Sequence, residues 1–452
     1  MNVTRREFCK NTAGMAGIIA AGAAPSLYAA GANDRINVAC IGYSMRFRQS
    51  LAKAFSFYRK EFNCEMVAVA DLWKKRLYEE AKPQMEALFG HPIDTYASDE
   101  DLYEKAKDVD AVIISTADFQ HARHAVHAVE AGKDVYCEKP MAEDMRAANL
   151  LLDTVNAKRA KGLATPGAVL QIGSQRRSGK GYAAAREYVR SGKFGDISYV
   201  DLAWNVNQPR RWRLPEAMVS GCREEDVDWK RWLLDRPYEK FDPRKFLEFR
   251  LFWPYSSGIP GQWMCHQIDT VSLLTGIPYP KSCMASGGLY QWVDGRQSFD
   301  TFTAAFEYGQ SGEKGKGFQA VFSSRQTNAA RGNVERYYSP AGTLDLLTCK
   351  VSNEGVEKAK PEETQLTTNY EPPATAANTG ADQITSAHMK NFMDSIRNRK
   401  NPNAPVEVGW GHAIALIMAN ASARTGKRAT FDAATRQVMV DGQPFVGYTP
   451  SC

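Results

Sequence analysis

The 452-residue sequence contains nine cysteines but no Cys-x-x-Cys and no paired cysteine spacing. This excludes a zinc ribbon or a disulfide framework as the organising device. Cys40 and Cys137 lie in apolar runs, Cys265 abuts His266 and Cys452 is terminal, so most read as buried thiols. An excess of one charge is also lacking. With 57 basic and 51 acidic residues the formal balance is +6, no basic, aromatic-interleaved patch appears, and nucleic acid is excluded as a partner. The basic pairs starting at Lys74, Arg176 and Arg210 read as solvated. After the first thirty residues no run is long and apolar enough to span a bilayer, so the mature chain is expected to be soluble. No metal set is evident either. His121, His124 and His127 recur every three residues, but that spacing drifts around a helix and no neighbouring carboxylate or cysteine completes them.

Glycine is missing where a nucleotide-binding chain most needs it. "VACIGYSMRFRQS" (38–50) runs from an apolar strand into a helix, yet only Gly42 stands in glycine register. A dinucleotide loop uses one glycine for the tight turn, one for backbone approach to the pyrophosphate and one for helix–strand packing. Ser44 is small enough for the second role, whereas Phe47, or Met45 in the alternative register, cannot imitate a hydrogen. The helix N-terminus still offers N–H groups to a phosphate, with Arg46 and Arg48 as added charge.

What is present is an alternation of apolar runs and helical patterns from Asn33 to about Gly162: "INVACIG", "EMVAVAD", "VDAVIIST" and "DVYCEKP", joined by segments such as "HARHAVHAVEAG". Such crossovers make a parallel sheet covered on both faces, with ligands beyond the carboxyl ends of the strands. After "AVLQIGSQRR" come "ISYVDLAWNV", "TFTAAFEY" and "GFQAVFSSRQTN", the rhythm of antiparallel strands. The expectation is a doubly wound α/β Rossmann domain at 33–165. An α+β domain with an open, mainly antiparallel sheet comes next at 166–445, with its last helices returning to the first domain. "KAKPEETQLTTNYEPPATAANTGAD" reads as a long surface loop. Residues 1–32, with Arg5-Arg6, Lys10 and an Ala/Gly-rich run, resemble a twin-arginine export signal, which predicts a periplasmic or other extracytoplasmic protein exported folded. Free thiols suit such a route.

Two positions strengthen the nucleotide reading. Asp71 closes the second apolar run, where a carboxylate accepts the adenosine ribose hydroxyls. It favours NAD, while Lys74, Lys75 and Arg76 keep NADP open. Glu138, Lys139 and Pro140 end the fourth run, at the mouth of the sheet. Here the chain resembles the glucose-fructose oxidoreductase, inositol dehydrogenase and MocA-like (Gfo/Idh/MocA) oxidoreductases. The resemblance is carried by "STADFQHARHAVHAVEAGKDVYCEKPMA", "LQIGSQRRSGKGYAAAREYVRSGKFGDI" and "HMKNFMDSIRNRKNPNAPVEVGWGHAIALIMANAS". It implies that Gly42, Ser44, Met45, Arg46, Asp71, Thr116, Asp118, His121, Glu138, Lys139, Gln175 and Arg176 surround the cofactor. It also implies that Lys139 and His266 do the acid–base work. Gln262 holds the place of the family's aspartate and can only orient a hydroxyl. Asp269, one helical turn beyond His266, is expected to orient the imidazole. Relatives often pair through the outer face of the open sheet, so a homo-oligomer is one expectation.

Export separates a hydride enzyme from the cytoplasmic NAD pool, so its cofactor must travel bound. The expected activity is hydride transfer on a carbohydrate or polyol. A redox-neutral glycosidase or lyase on the same scaffold is the alternative, and a cofactor-free sugar-binding protein is kept open by Ser44, Phe47 and Gln262. Six of the nine tryptophans fall between Trp204 and Trp263; sugar stacking and loop packing account for them equally well.

Overall fold

The structure is a computed structural model that describes residues 34–353, 363–368 and 382–446. The chain divides into two units, 1–35 and Ile36–Cys452. Residues 1–32, on which the export-signal reading falls, lie outside the described residues, and the strands and helices named here all belong to the second unit.

The first layer alternates as the apolar pattern predicts. β1 (Ile36–Ile41) leads into α1, a wide π-helical turn at Phe47–Leu51 continuing as Ala52–Tyr58; β2 (Cys64–Ala70) leads into α2 (Arg76–Ala81, then Lys82–Phe89). β3 (Asp94–Tyr96), α3 (Asp99–Lys105), β4 (Ala111–Ile114), α4 (His121–Glu130), β5 (Asp134–Cys137), α5 (Met145–Arg159) and β6 (Leu170–Ile172) complete it. The six strands are parallel in the order β3-β2-β1-β4-β5-β6, the doubly wound arrangement whose order reverses beside β1. β4 and β5 are wholly buried, as strands covered on both faces must be. β3 and α3 are short and polar, "DTY" and "DEDLYEK", too weakly patterned to announce themselves. β6 lies past the expected boundary at 165.

α6 (Lys180–Arg190) and β7 (Tyr199–Asn205) open the second layer. The chain between β7 and α10 carries α7 (Glu216–Ser220), α8 (Trp229–Leu233) and α9 (Pro243–Leu247). α10 is another π-helical turn, Pro260–Met264, running into Cys265–Thr275. Then come β8 (Ser282–Gly288), β9 (Thr301–Gly309), β10 (Gly317–Arg325), β11 (Asn333–Ser339), β12 (Gly342–Asp345), β13 (Lys350–Ser352) and β14 (Glu363–Gln365). α11 (Gln383–Asn398), α12 (Val406–Thr425), β15 (Ala429–Asp432), β16 (Gln437–Val440) and β17 (Gln443–Pro444) end the series. Among the described residues these strands form one sheet, β14-β13-β12-β11-β7-β10-β9-β8-β15-β16-β17. It is antiparallel apart from β7, which runs parallel to β10. The long polar loop thus contributes an edge strand, β14; its residues 358–362 and 369–381 lie outside the described residues.

α11 returns to the first domain. Its Met389, Phe392, Met393 and Ile396 share a buried cluster with Phe47, Leu51 and Phe55 of α1. The inserted helices form a separate aromatic cluster with Trp73 and Phe119, and Trp73 bridges to Val227. The second domain therefore overhangs the carboxyl ends of the parallel strands. No described helix is long and apolar enough to cross a membrane.

Candidate active site

A cleft of about 350 Å³ opens at that overhang, lined from both domains and within the size range of small-ligand sites. Its floor begins at Gly42. There φ is +82°, and a Cβ would come within 2.7 Å of Thr116 Cγ2 and 3.1 Å of Thr116 backbone, so only glycine serves. Ser44 Oγ accepts the Phe47 N–H at 3.2 Å and meets Ser115 Oγ at 3.1 Å, capping the helix start. Phe47 does not line the cleft. It is fully buried, its ring 5.7 Å from that of Tyr43, in the core beneath α1. The wide π-helical turn there accompanies a side chain where the usual loop has a third glycine.

Asp71, 6% exposed, ends β2 beside the loop. Its Oδ2 accepts Tyr43 N–H and its Oδ1 accepts Trp73 N–H, both at 2.9 Å, which leaves lone pairs on each oxygen for a ribose. At the other end Lys139 Nζ donates to Gln262 O at 3.0 Å and Gly261 O at 3.4 Å. α10 approaches closely there because residue 261 is glycine: a Cβ would stand 2.6 Å from Ser257 Oγ and 2.8 Å from Glu143 Oε1. His266 lines the same cleft, 6% exposed, with its ring 5.9 Å from that of Trp204. Burial, then the charges of Lys139, Arg176 and Arg46, push its pKa well below the ordinary value, so the ring is neutral and offers a lone pair to a hydroxyl.

Four expected roles are corrected or narrowed. Asp269 does not orient His266: its carboxylate accepts Arg177 Nε at 2.9 Å on both oxygens, because a buried guanidinium takes the nearest carboxylate. Gln262 lines the cleft with its amide already tied to the protein, accepting Arg250 Nε at 2.9 Å and donating to Asp118 Oδ2 at 2.5 Å; Ser256 Oγ donates to that same oxygen at 2.5 Å. Arg46 lines the cleft as expected but shares its charge with Glu138, its Nε meeting Glu138 Oε1 at 2.9 Å. Arg176 is 3% exposed and lies outside the cleft, paired at 2.6 Å with Glu335 on β11, so it is not a solvated arginine either. Arg48 likewise pairs with Glu80. Met45, Asp118, Glu138 and Gln175 line the cleft.

The histidine triplet also meets the carboxylate that the sequence appeared to lack. Asp99 Oδ2 lies 2.8 Å from His124 Nδ1 and 3.1 Å from His127 Nδ1. Those are hydrogen-bond separations; a tetrahedral zinc with bonds of about 2.0 Å sets its ligand atoms about 3.3 Å apart. Asp99 and His124 line the cleft together with His121, whose Nδ1 bonds Pro140 O at 2.8 Å and whose Nε2 is buried without a partner among the described residues. Thr116 Oγ1 and Gln175 Oε1 are also buried and unpartnered, and all three residues line the cleft. Three unmet polar atoms on a preformed floor fit a polar dinucleotide better than an apolar guest. Trp212, Trp232 and Trp263 line the cleft, while Trp204 and Trp229 are buried in stacks at its back. Arg211, expected to be one of a solvated pair, and Arg250, which the sequence did not single out, also line it; the "PRRWR" run is the one signal that pointed to Arg211.

A glycine turn at a strand-order reversal, a carboxylate ending β2 and an open second sheet define a two-domain fold whose first domain is a dinucleotide-binding Rossmann unit. Residues 36–164 match the GFO_IDH_MocA family model, described as an oxidoreductase family with an NAD-binding Rossmann fold, so it is the first domain that carries the likeness. The chain is 33% identical over 176 residues to inositol 2-dehydrogenase 3 of Saccharopolyspora erythraea, covering 38% of this chain and 46% of that one. It is 34% identical over 130 residues to inositol 2-dehydrogenase of Cereibacter sphaeroides, covering 28% and 36%. The chain thus spans less than half the length of these relatives. Levoglucosan dehydrogenase in complex with NADH and levoglucosan superposes with TM-score 0.59 at 16% identity, over 88% of this chain and 99% of that one. The WlbA dehydrogenase of Bordetella pertussis in complex with NADH and UDP-GlcNAcA does so with 0.61 at 15%, over 88% and 98%. At such identities these two support the fold.

Proposed function

We propose that the protein is an exported, NAD-dependent oxidoreductase that acts on a carbohydrate or polyol. The observation that carries the reading is convergence. The Lys139 ammonium and a neutral His266 face one cleft with the Gly42 turn, Asp71 and the three unmet polar atoms of Thr116, His121 and Gln175. Asp71 would hold the adenosine ribose, and the cofactor, when bound, supplies the hydride acceptor. Lys139, tethered to the carbonyls of α10, would donate a hydrogen bond to the substrate oxygen. His266 would take the hydroxyl proton onto a ring nitrogen as the carbinol hydride leaves. The dehydrogenase names of the relatives and the NADH-bound neighbours support this chemistry.

Export rests on Arg5-Arg6 and the Ala/Gly-rich run after them; the seven described cysteines, all free and buried, suit a chain that folds before it crosses. An exported enzyme keeps its cofactor bound. Denaturing the purified protein should therefore release adenine and reduced-nicotinamide absorbance, and Asp71→Ala should strip it. A protein that neither releases nor takes up NAD or NADP would overturn the reading. Fusing residues 1–32 to a reporter tests export separately: Arg5→Lys with Arg6→Lys should retain the reporter in the cytoplasm. Sugar turnover with net NADH signals oxidation; aryl-glycoside cleavage without it would move the assignment to the redox-neutral alternative.

A further inference from the structure

The cleft carries charge that its own carboxylates do not balance. Glu138 is paired with Arg46, Glu80 with Arg48, and Glu248 with Arg213 and Arg244. Lys139 is held by carbonyls alone, Arg250 by the Gln262 amide, and Arg211 has no ion pair or side-chain hydrogen bond among the described residues. Asp71 faces Arg76 at 3.7 Å and Asp99 is held by His124 and His127, so beside the three cations the carboxylate left without an ion pair among the described residues is Asp118, held by Ser256 and Gln262.

Arg211 is displayed with some effort. The residues on either side of it, Arg210 and Trp212, both adopt left-handed backbone, with φ of 62° and 65°. Side chains other than glycine rarely accept this, and such strain concentrates at functional sites. The guanidinium lies 5.6 Å from the Trp263 ring and 5.8 Å from that of Trp212, with Nε buried and unpartnered. Trp263 stacks at 6.0 Å on Trp204, which in turn lies against His266. Arg211 therefore sits on the same aromatic stack as the candidate base, and Arg250 shares Gln262 with Lys139. Burial, then the nearby Arg250 charge, pushes the Arg211 pKa down to about 10, as two crowded cations require.

Resting on the oxidoreductase reading, we propose that the substrate is an acidic carbohydrate whose anionic group, a carboxylate or a phosphoryl, is held between Arg211 and Arg250 while its reacting hydroxyl faces Lys139 and His266. Guanidinium forks match both anions, and the neighbouring tryptophans cover the apolar ring faces.

The test is equilibrium binding to the full chain, read by tryptophan fluorescence and calorimetry with and without NAD. Glucuronate and galacturonate are compared with glucose and galactose, and glucose 6-phosphate forms the phosphoryl arm. A charge-assisted contact predicts about ten- to a hundredfold tighter binding for the fitting anion. R211Q should erase that preference and R211K should keep part of it, both with unchanged NAD affinity, which also shows that the variants are folded. The proposal falls if neutral hexoses match every anion, if no ligand in the panel binds, or if R211Q keeps the preference. Failure to bind NAD strikes the oxidoreductase reading instead, because sugar binding is read without it.

Discussion

At the residue scale the cleft contains one base without a partner and, just behind it, one acid with an idle oxygen. Neutral His266 makes alcohol oxidation insensitive to mild acidification: the acid limb of kcat/KM should lie well below pH 6.5, and His266→Asn should lower kcat by about 10²–10⁴-fold with NAD affinity intact. Glu143 is buried, with Oε1 taken by Ser257 N at 3.2 Å and Ser257 Oγ at 3.0 Å and with Oε2 unbonded. Burial, then the Asp118 charge, pushes its pKa up to about 8. A folded pKa above the unfolded value means stability present at low pH and lost as pH rises from about 4.3 towards 8. Glu143→Gln should therefore match the wild-type urea midpoint near pH 4 and exceed it increasingly towards pH 8; identical profiles would show that the carboxyl ionises freely.

At the scale of elements, α1 explains why a depleted glycine motif still forms a nucleotide turn. The turn itself needs only Gly42, and the third glycine is replaced by a phenylalanine that joins the core formed with α11. Restoring the motif by Phe47→Gly should therefore cost about 3–5 kcal/mol, visible in the thermal midpoint, without tightening NAD binding. The strongly patterned elements were legible because buried parallel strands read as continuous apolar runs: β1, β2, β4 and β5, with α4 and α5, fall where the alternation put them. β3, α3 and β14 were not, since short polar segments owe their structure to neighbours rather than to their own periodicity. Lys139, His266 and Asp71 were legible as cleft residues from strand ends and resemblance. The fates of Asp269, Arg46, Gln262 and Arg176 were not, because each is decided by a partner far off in sequence: Arg177, Glu138, Asp118 and Glu335. Asp99 escaped for the same reason, meeting α4 only after α3 folds beside it.

At the scale of the molecule, buried histidines set the acid limit of stability. His388, bonded to Ile172 O at 2.8 Å and Ser178 Oγ at 2.7 Å, is pushed by burial to about 4. His412, whose Nε2 accepts Met141 N–H at 3.1 Å, is pushed by burial, then by Arg177 and Lys139, to about 3. Both join the two domains, since each side chain bridges the first sheet or its following loop to α11 or α12. Below about pH 6.5 the unfolded chain binds protons that these folded rings refuse, so stability falls on acidification until the folded pKa is reached, by about 1.4 kcal/mol per pH unit for each ring. The Asp99 cluster works differently. Burial raises the Asp99 carboxyl, but His124 and His127 outweigh it and hold it low, so its contribution is present above about pH 4 and lost below. His127 is raised, chiefly by its hydrogen bond to Asp99, so its share is present below pH 6.5 and lost as pH rises. His127 is 38% exposed, and screening limits that pair to about 0.3–1 kcal/mol. The two buried rings therefore pull the urea midpoint down between pH 6.5 and 4, against the opposite pull of the raised Glu143 carboxyl. His412→Asn should lower it at pH 7.5 by removing the acceptor for Met141 while making the decline shallower, and an unchanged slope would mean that His412 already takes its proton in the folded state.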